Sequence, residues 1–174
     1  MIKVWSLFVR LSHWLLVVAF FTAFYLRDSE WYREIHAYAG YAAGIIIVLR
    51  IIWGFVGSGY ERFSAFPFDI PAALRFVATF FNEHPKRYIG HNPAGSLVIY
   101  AMLTIGLLTV ITGILVFNDG YLPFDSSVLE YMHEFPAWAW AILVAMHISG
   151  VLLESWLHRE NLVKAMITGE KKAD

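Results

Sequence analysis

The stretch HEFPAWAWAILVAMH, from His133 to His147, combines an apolar run with a histidine at each end. Fourteen residues along an α-helix correspond to about four turns, or about 21 Å along the axis. The same spacing leaves the two side chains within about 40° of each other on one helix face. Ionisable side chains are costly inside a membrane, so this pattern is typical of a spanning helix that carries a functional site.

The composition of the whole chain agrees with a membrane protein. Of the 174 residues, 59% are hydrophobic and 17% aromatic, and the mean hydropathy is +0.57. A bilayer-spanning helix needs about 20 mostly apolar residues. Four segments meet this requirement: Leu7 to Leu26, Ile35 to Val56, Ser96 to Phe117 and Phe135 to Leu157. The sequence therefore predicts an all-α integral membrane protein, with a four-helix bundle forming one domain over residues 1–174.

The distribution of Lys and Arg predicts the orientation of the bundle. Eleven of these residues fall on one side of the predicted bilayer, whereas the other side receives two, Arg27 and Arg33. The eleven are Lys3, Arg10, Arg50, Arg62, Arg75, Lys86, Arg87, Arg159, Lys164, Lys171 and Lys172. We therefore expect a multi-pass protein of a bacterial inner membrane, with both termini and the long middle segment in the cytoplasm.

The middle segment, from Gly57 to Gly95, contains four of the six prolines and a short amphipathic pattern. Apolar residues recur there at helical spacing, namely Ile70, Ala73, Leu74, Val77 and Phe81. Arg75, Thr79 and Asn82 fall on other faces. This pattern predicts a cytoplasmic helix between spans two and three, either lying on the membrane surface or capping the bundle.

Several kinds of site are excluded by residue content. The chain has no cysteine, which rules out disulfides, iron–sulfur clusters, zinc–thiolate sites and covalently attached haem of the c type. It also lacks a basic stripe with interleaved aromatic residues, so we expect no nucleic acid partner. A redox centre in this chain would need other ligands.

Four histidines lie in or beside the predicted spans, and helix direction sorts them by depth. Spans two and four enter from outside, which places His36 and His133 near the outer surface and His147 in the inner half. Span one enters from inside, which places His13 in the inner half. The outer pair is therefore His36 with His133, and the inner pair is His13 with His147.

Two histidine pairs at two depths predict two haem b groups. Haem iron accepts neutral imidazole on both axial sides, which leaves no open position for a substrate and favours electron transfer. Gly40 and Gly44 follow His36 on its own face and would let a flat porphyrin approach, although small residues at this spacing also mark helix contacts. Arg10 and Arg33, each three residues before a histidine, are candidate partners for the haem propionates, with Arg50 as a third. We expect His84, His91 and His158 to be loop or surface residues.

The sequence resembles the bacterial cytochrome b561 and nickel–iron hydrogenase b-type cytochrome family. The similarity is carried by VWSLFVRLSHW around His13, REIHAYAGY around His36, and the segments RIIWGFVGSGYERFSAF, RYIGHNPAGSLVIY and AMHISGVLLESWLHRENLVKAMITG. The resemblance implies a di-haem protein with ligands at His13, His36, His133 and His147. It also implies electron exchange between a periplasmic partner, a c-type cytochrome or a dehydrogenase such as hydrogenase, and membrane quinone.

Other functions stay open at this stage. The chain is shorter than hydrogenase cytochrome subunits, which leaves open a c-type cytochrome partner or a self-contained quinone-linked oxidoreductase that takes electrons from a small reductant such as superoxide. A histidine-lined metal or proton transporter would require acidic residues beside the inner histidines. Among the predicted spans, only Glu154, near the end of the fourth, meets that description.

Overall fold

The computed structural model describes residues 1–82, 86–118 and 125–173, with all side chains except those of residues 80–82. In the described residues six α-helices follow one another: α1 (Leu7–Tyr25), α2 (Arg33–Val56), α3 (Ile70–Asn82), α4 (Pro93–Phe117), α5 (Ser126–Leu157) and α6 (Leu162–Thr168). Single 3-10 turns at Gly59–Glu61 and Phe63–Ala65 lie between α2 and α3. Helices α1, α2, α4 and α5 are long and apolar enough to cross a membrane, which confirms the predicted fold class.

The spanning helices pack in sequence order, α1 on α2, α2 on α4, and α4 on α5. Their shared core contains Ala19, Phe20, Ala43, Ile47 and Trp140. Gly106 of α4 makes room for this core, because a Cβ atom there would lie 2.7 Å from the Trp140 ring. Away from the core, apolar side chains such as Val18 (64% exposed) and Ile45 (63% exposed) face outward. Such an apolar exterior is suited to lipid.

Helix α5 is longer than hydropathy alone predicts. It begins at Ser126 and not at Phe135, because the Asp125 carboxylate caps it by accepting a hydrogen bond from the backbone N–H of Ser127. With 32 residues, α5 is about 48 Å long, so it exceeds the hydrocarbon core of a bilayer, about 30 Å. His133 therefore lies two turns inside the helix.

Helix α4 begins with a capping motif that accounts for part of the segment GHNPAG. The side-chain oxygen of Asn92 accepts a hydrogen bond from the backbone N–H of Gly95 at 2.7 Å. Pro93 occupies the first helical position, where its missing N–H has no consequence for the helix. The motif thus sets the start of α4 and holds His91 just before it.

The two ends of the chain meet. Strands β1 (Ile2–Lys3) and β2 (Glu170–Lys171) form a two-stranded antiparallel sheet, in which Ile2 pairs with Lys171. Gly169 allows this meeting because its φ is +85° and because any Cβ would lie 2.6 Å from the Trp5 carbonyl oxygen. Both ends of the described chain therefore lie at the end of the bundle where α1 begins.

Helix α3 has the predicted amphipathic character, and it packs against α4. Ala73 and Phe76 are buried, whereas Ile70, Leu74 and Val77 are exposed. The apolar face predicted from sequence is thus divided between α4 and the exterior of the bundle. One row contacts the bundle, and the adjacent row remains available to lipid.

Candidate haem-binding sites

The structure brings the four predicted histidines together as the two predicted pairs. The ring centroids of His36 and His133 are 6.1 Å apart, with the ring planes at 87°. Those of His13 and His147 are 6.3 Å apart, with the planes at 57°. Each pair joins two helices, α2 with α5 in the outer pair and α1 with α5 in the inner pair.

This separation matches two imidazoles on opposite sides of one metal ion. A metal–nitrogen bond of about 2 Å, with the ring centre about 1 Å beyond the nitrogen, places two such centroids about 6 Å apart. Direct stacking of two rings would allow a shorter distance, down to about 4.5 Å. The residues present therefore fit a bis-histidine haem at each pair.

The histidines of the outer pair are oriented by backbone carbonyls. Nδ1 of His36 lies 2.8 Å from the Ala23 carbonyl oxygen, and Nδ1 of His133 lies 3.0 Å from that of Thr109. The Thr112 hydroxyl is 3.4 Å from the same His133 atom. With Nδ1 donating, Nε2 of each ring is left unprotonated and available as a ligand, the usual arrangement of metal-binding histidine.

In the inner pair the support is different. Nδ1 of His13 is buried and has no hydrogen-bond partner among the described residues. The ring of Trp14 packs edge-on against the His13 ring, with centroids 5.2 Å apart. Packing, and not a hydrogen bond, thus orients His13 within the described part of the chain.

Glycines beside the histidines have two different environments. A Cβ at Gly40 or at Gly150 would meet nothing within 4 Å, so open space lies beside His36 and His147 on their own helices. At Gly44 a Cβ would lie 2.7 Å from Cγ1 of Val110. Gly44 therefore serves the contact between α2 and α4, and the structure favours the helix-contact interpretation for it over the porphyrin contact.

Gly113 and Gly150 are absent from the sequence-based prediction. A Cβ at Gly113 would lie 3.0 Å from Cε1 of His133, so the glycine gives this imidazole its room. Gly113 lies one residue after Thr112, whose hydroxyl is near the same ring. Helical spacing within α4 could not have revealed this, because the contact is made to another helix.

The two arginines predicted beside the propionates have other contacts. Arg10 Nη1 donates a hydrogen bond to the Ile167 carbonyl at 2.5 Å and thereby holds α6 against α1. Arg33 is exposed, and its guanidinium carbon lies 5.5 Å from the centre of the Phe117 ring. Their role toward propionates stays a prediction.

His91 and His158 lie in loops, as expected, but each has a buried ring nitrogen, whereas His84 lies outside the described residues. Nδ1 of His91 is buried, and its ring packs between Trp5 (4.8 Å between centroids) and Phe66 (4.5 Å). Nε2 of His158 is buried 3.5 Å from a Glu154 oxygen. Loops usually are exposed, yet both side chains are only partly exposed here.

Charged neighbours surround His91. Burial first, and then the positive charges of Arg50 and Lys171 and the nearby His147, lower the pKa of His91 to about 3. The imidazole is therefore neutral at physiological pH. It can donate or accept a hydrogen bond without carrying a charge.

A sequence model of the prokaryotic cytochrome b561 family matches residues 4–169, nearly the entire chain. This chain belongs to that family. Membership makes it a membrane cytochrome b, a haem-carrying protein of electron transport. The four apolar helices agree with a multi-pass cytochrome.

Individual relatives of this cytochrome are named as hydrogenase subunits. The probable Ni/Fe-hydrogenase B-type cytochrome subunit of Rhizobium leguminosarum bv. viciae is 28% identical, over 80% of this chain and 68% of the relative. That of Rhodobacter capsulatus is also 28% identical, over 77% of this chain and 62% of the relative. The probable Ni/Fe-hydrogenase 1 B-type cytochrome subunit of Escherichia coli K12 is 23% identical, over 92% of this chain and 86% of the relative.

The cytochrome thus spans about two thirds of the length of the first two of these relatives. No solved structure matches it. Among the described residues, no group of three or more His, Cys, Asp or Glu side chains could hold a metal ion.

Proposed function

We propose that this cytochrome carries electrons across a bacterial inner membrane and holds two haem b groups for this purpose, one on His36 and His133 and one on His13 and His147. The observation that carries the proposal is the pair of centroid distances, 6.1 and 6.3 Å, at two depths of one bundle. Bound haem b would supply a one-electron iron couple at each depth.

The residues around each pair would favour electron transfer over substrate chemistry. Two histidines would ligate the iron of each haem, so neither site would offer a coordination position to a substrate. The carbonyls of Ala23 and Thr109 hold the outer imidazoles in one orientation. Rigid ligands reduce the rearrangement that accompanies a change of oxidation state.

The proposed orientation places both termini in the cytoplasm. Pairing of β1 with β2 brings the two ends of the described chain to one end of the bundle. This is also the end with eleven of the thirteen Lys and Arg residues. The positive-inside rule assigns such an end to the cytoplasm.

A periplasmic electron-transfer protein is the proposed partner at the outer end. Acidic side chains outnumber basic ones there: Asp28, Glu30, Glu34, Asp125, Glu130 and Glu134, against Arg27 and Arg33. Asp119, in the same part of the sequence, lies outside the described residues. A rim of this sign favours a partner with a basic surface, such as a c-type cytochrome. The relatives' names add a hydrogenase as a second candidate partner.

Quinone is the proposed partner at the inner end. The exposed apolar row of α3, formed by Ile70, Leu74 and Val77, lies beside the bundle at this end and would border an entrance from lipid. A self-contained oxidoreductase acting on a small periplasmic reductant is the second candidate.

The decisive experiment counts haem in the purified protein and in ligand variants. We expect two b haems per chain by pyridine haemochrome assay, with low-spin spectra. His13→Ala and His147→Ala should lose the same spectral component, while His36→Ala and His133→Ala should lose the other. One haem per chain, or loss of a single shared component in His13→Ala and His36→Ala, would contradict the proposal.

A further inference from the structure

Arg50 lies at the depth of the inner histidine pair. It follows His36 on α2 by fourteen residues, the same spacing that separates His133 from His147 on α5. Such a spacing corresponds to about 21 Å along the axis and leaves the two side chains within about 40° of one face. Both α2 and α5 run inward in the proposed orientation, so Arg50 and His147 are brought level.

The Arg50 guanidinium has an unused donor. Nη1 is buried and has no hydrogen-bond partner among residues 1–82, 86–118 and 125–173. Its charged neighbour Glu61 is already engaged, because one carboxylate oxygen accepts from the backbone N–H of Ser6 and the other from Trp53 Nε1, at 2.7 Å. A buried guanidinium with a free N–H is costly unless an acceptor reaches it.

A second unused polar atom lies close by. Nδ1 of His91 is buried and unpartnered within the described residues, and Arg50 is the charged group that influences His91 most. The rings of Trp5 and Phe66 hold the imidazole between them, so its direction is set by packing. His147 is also near enough to influence His91. Two fixed hydrogen-bonding groups, one of them cationic, therefore stand beside the inner pair.

A guanidinium and a neutral imidazole that share one buried region suit a carboxylate, which can accept from both. Haem b carries two propionate carboxylates at the edge of its ring. We propose that Arg50 and His91 together anchor a propionate of the inner haem. This inference rests on the proposed function, and it assigns to His91 a role that neither its position in the sequence nor its loop would indicate.

The test compares the release of each haem to an excess of apomyoglobin. In Arg50→Gln we expect the inner haem to leave roughly ten-fold faster than in wild type, since one charged hydrogen bond is lost. Arg50→Lys should give a smaller acceleration, and His91→Gln about a three-fold one, as expected for a neutral hydrogen bond. The outer haem should be unaffected in all three variants, which also shows that the bundle is folded.

Two controls make the result specific. Arg62→Gln removes the same charge from an exposed position at the same end of the bundle and should leave the release rate unchanged. Reconstitution with haem b dimethyl ester, which has no propionate charge, should abolish the difference between wild type and Arg50→Gln. This comparison is a double-mutant cycle between side chain and propionate.

The outcomes separate this inference from the proposed function. Two bound haems with an unchanged inner release rate in Arg50→Gln and His91→Gln would overturn the anchor alone. The anchor would also be overturned if the esterified haem showed the same acceleration as the natural one. Absence of an inner haem from the wild-type protein would overturn both proposals.

Discussion

The outer and inner histidine pairs have nearly equal spacing but are supported in different ways. In the outer pair, Nδ1 of each ring lies within hydrogen-bond distance of a backbone carbonyl, from Ala23 and Thr109. In the inner pair, Nδ1 of His13 has no such partner among the described residues. The comparison indicates that ring separation depends on how the helices pack. Ring orientation depends on carbonyl acceptors in the outer pair and, for His13, on packing against Trp14.

The largest expected effect separates the two ends by chemical rescue. His133→Gly and His13→Gly should each lose one haem, because each removes a proposed haem ligand. Added imidazole should restore the outer haem of His133→Gly, since the Thr109 carbonyl remains to hold the N–H of the free imidazole. Rescue of His13→Gly should be weaker at the same imidazole concentration. Absorbance titration with imidazole measures the restored haem in each variant. Equal rescue at the two ends would contradict the comparison.

The two glycines of α2 should respond in opposite ways. Gly40→Val places its side chain in open space next to His36, so the helices should stay packed while the outer haem is lost. Gly44→Val places its side chain against Val110, so α2 and α4 should be pushed apart. The thermal stability of the whole bundle should therefore fall. Haem content and thermal unfolding of the two variants check this. A Gly40→Val protein with full outer haem would show that the porphyrin lies elsewhere.

In protein stripped of haem, where no propionate carboxylate faces His91, acid sensitivity should depend on this residue. Its pKa is lowered to about 3 by burial and by Arg50, Lys171 and His147, whereas in the unfolded chain it is near 6.5. As pH falls below 6.5, the unfolded state takes up a proton that the folded state does not. Stability therefore decreases with falling pH, by up to about 1.4 kcal/mol per pH unit for one such group, until about pH 3.

His91→Leu removes this titration, so its stability should fall less between pH 7 and pH 5 than that of wild type. The measurement is the thermal midpoint at each pH. His158→Leu is a useful comparison, because His158 is a second histidine at the same end. Parallel pH profiles for wild type and His91→Leu would show that the imidazole is not buried as the structure places it.

The smallest effect is expected at Thr112. Its hydroxyl donates to the Leu108 carbonyl and lies 3.4 Å from Nδ1 of His133. That nitrogen already has the Thr109 carbonyl as its hydrogen-bond acceptor. Thr112→Val should therefore shift the reduction potential of the outer haem slightly and leave that of the inner haem unchanged. Potentiometric titration measures the reduction potentials of the two haems separately. A larger shift at the inner haem would mean that the two sites are not separate.

Much of the fold was predictable from local patterns. Hydropathy identified the four spans because a bilayer demands an apolar exterior over a fixed length. Helix α5 was placed too short, since its first two turns are polar and are specified by the Asp125 cap. Helix α3 was predicted by its periodicity, but the division of its apolar face between α4 and the exterior depended on tertiary packing.

The sequence by itself determined the number of spans and the grouping of the histidines His13, His36, His133 and His147 into two levels along the bundle. These follow from spacing along single helices, where rise and turn per residue are constant. Only the tertiary structure decided which helix faces meet. It placed Gly44 against Val110, gave His133 its acceptor on Thr109, and buried Nδ1 of His91 near Arg50. Contacts between helices depend on the shapes of both partners, and no periodicity within one of them records that information.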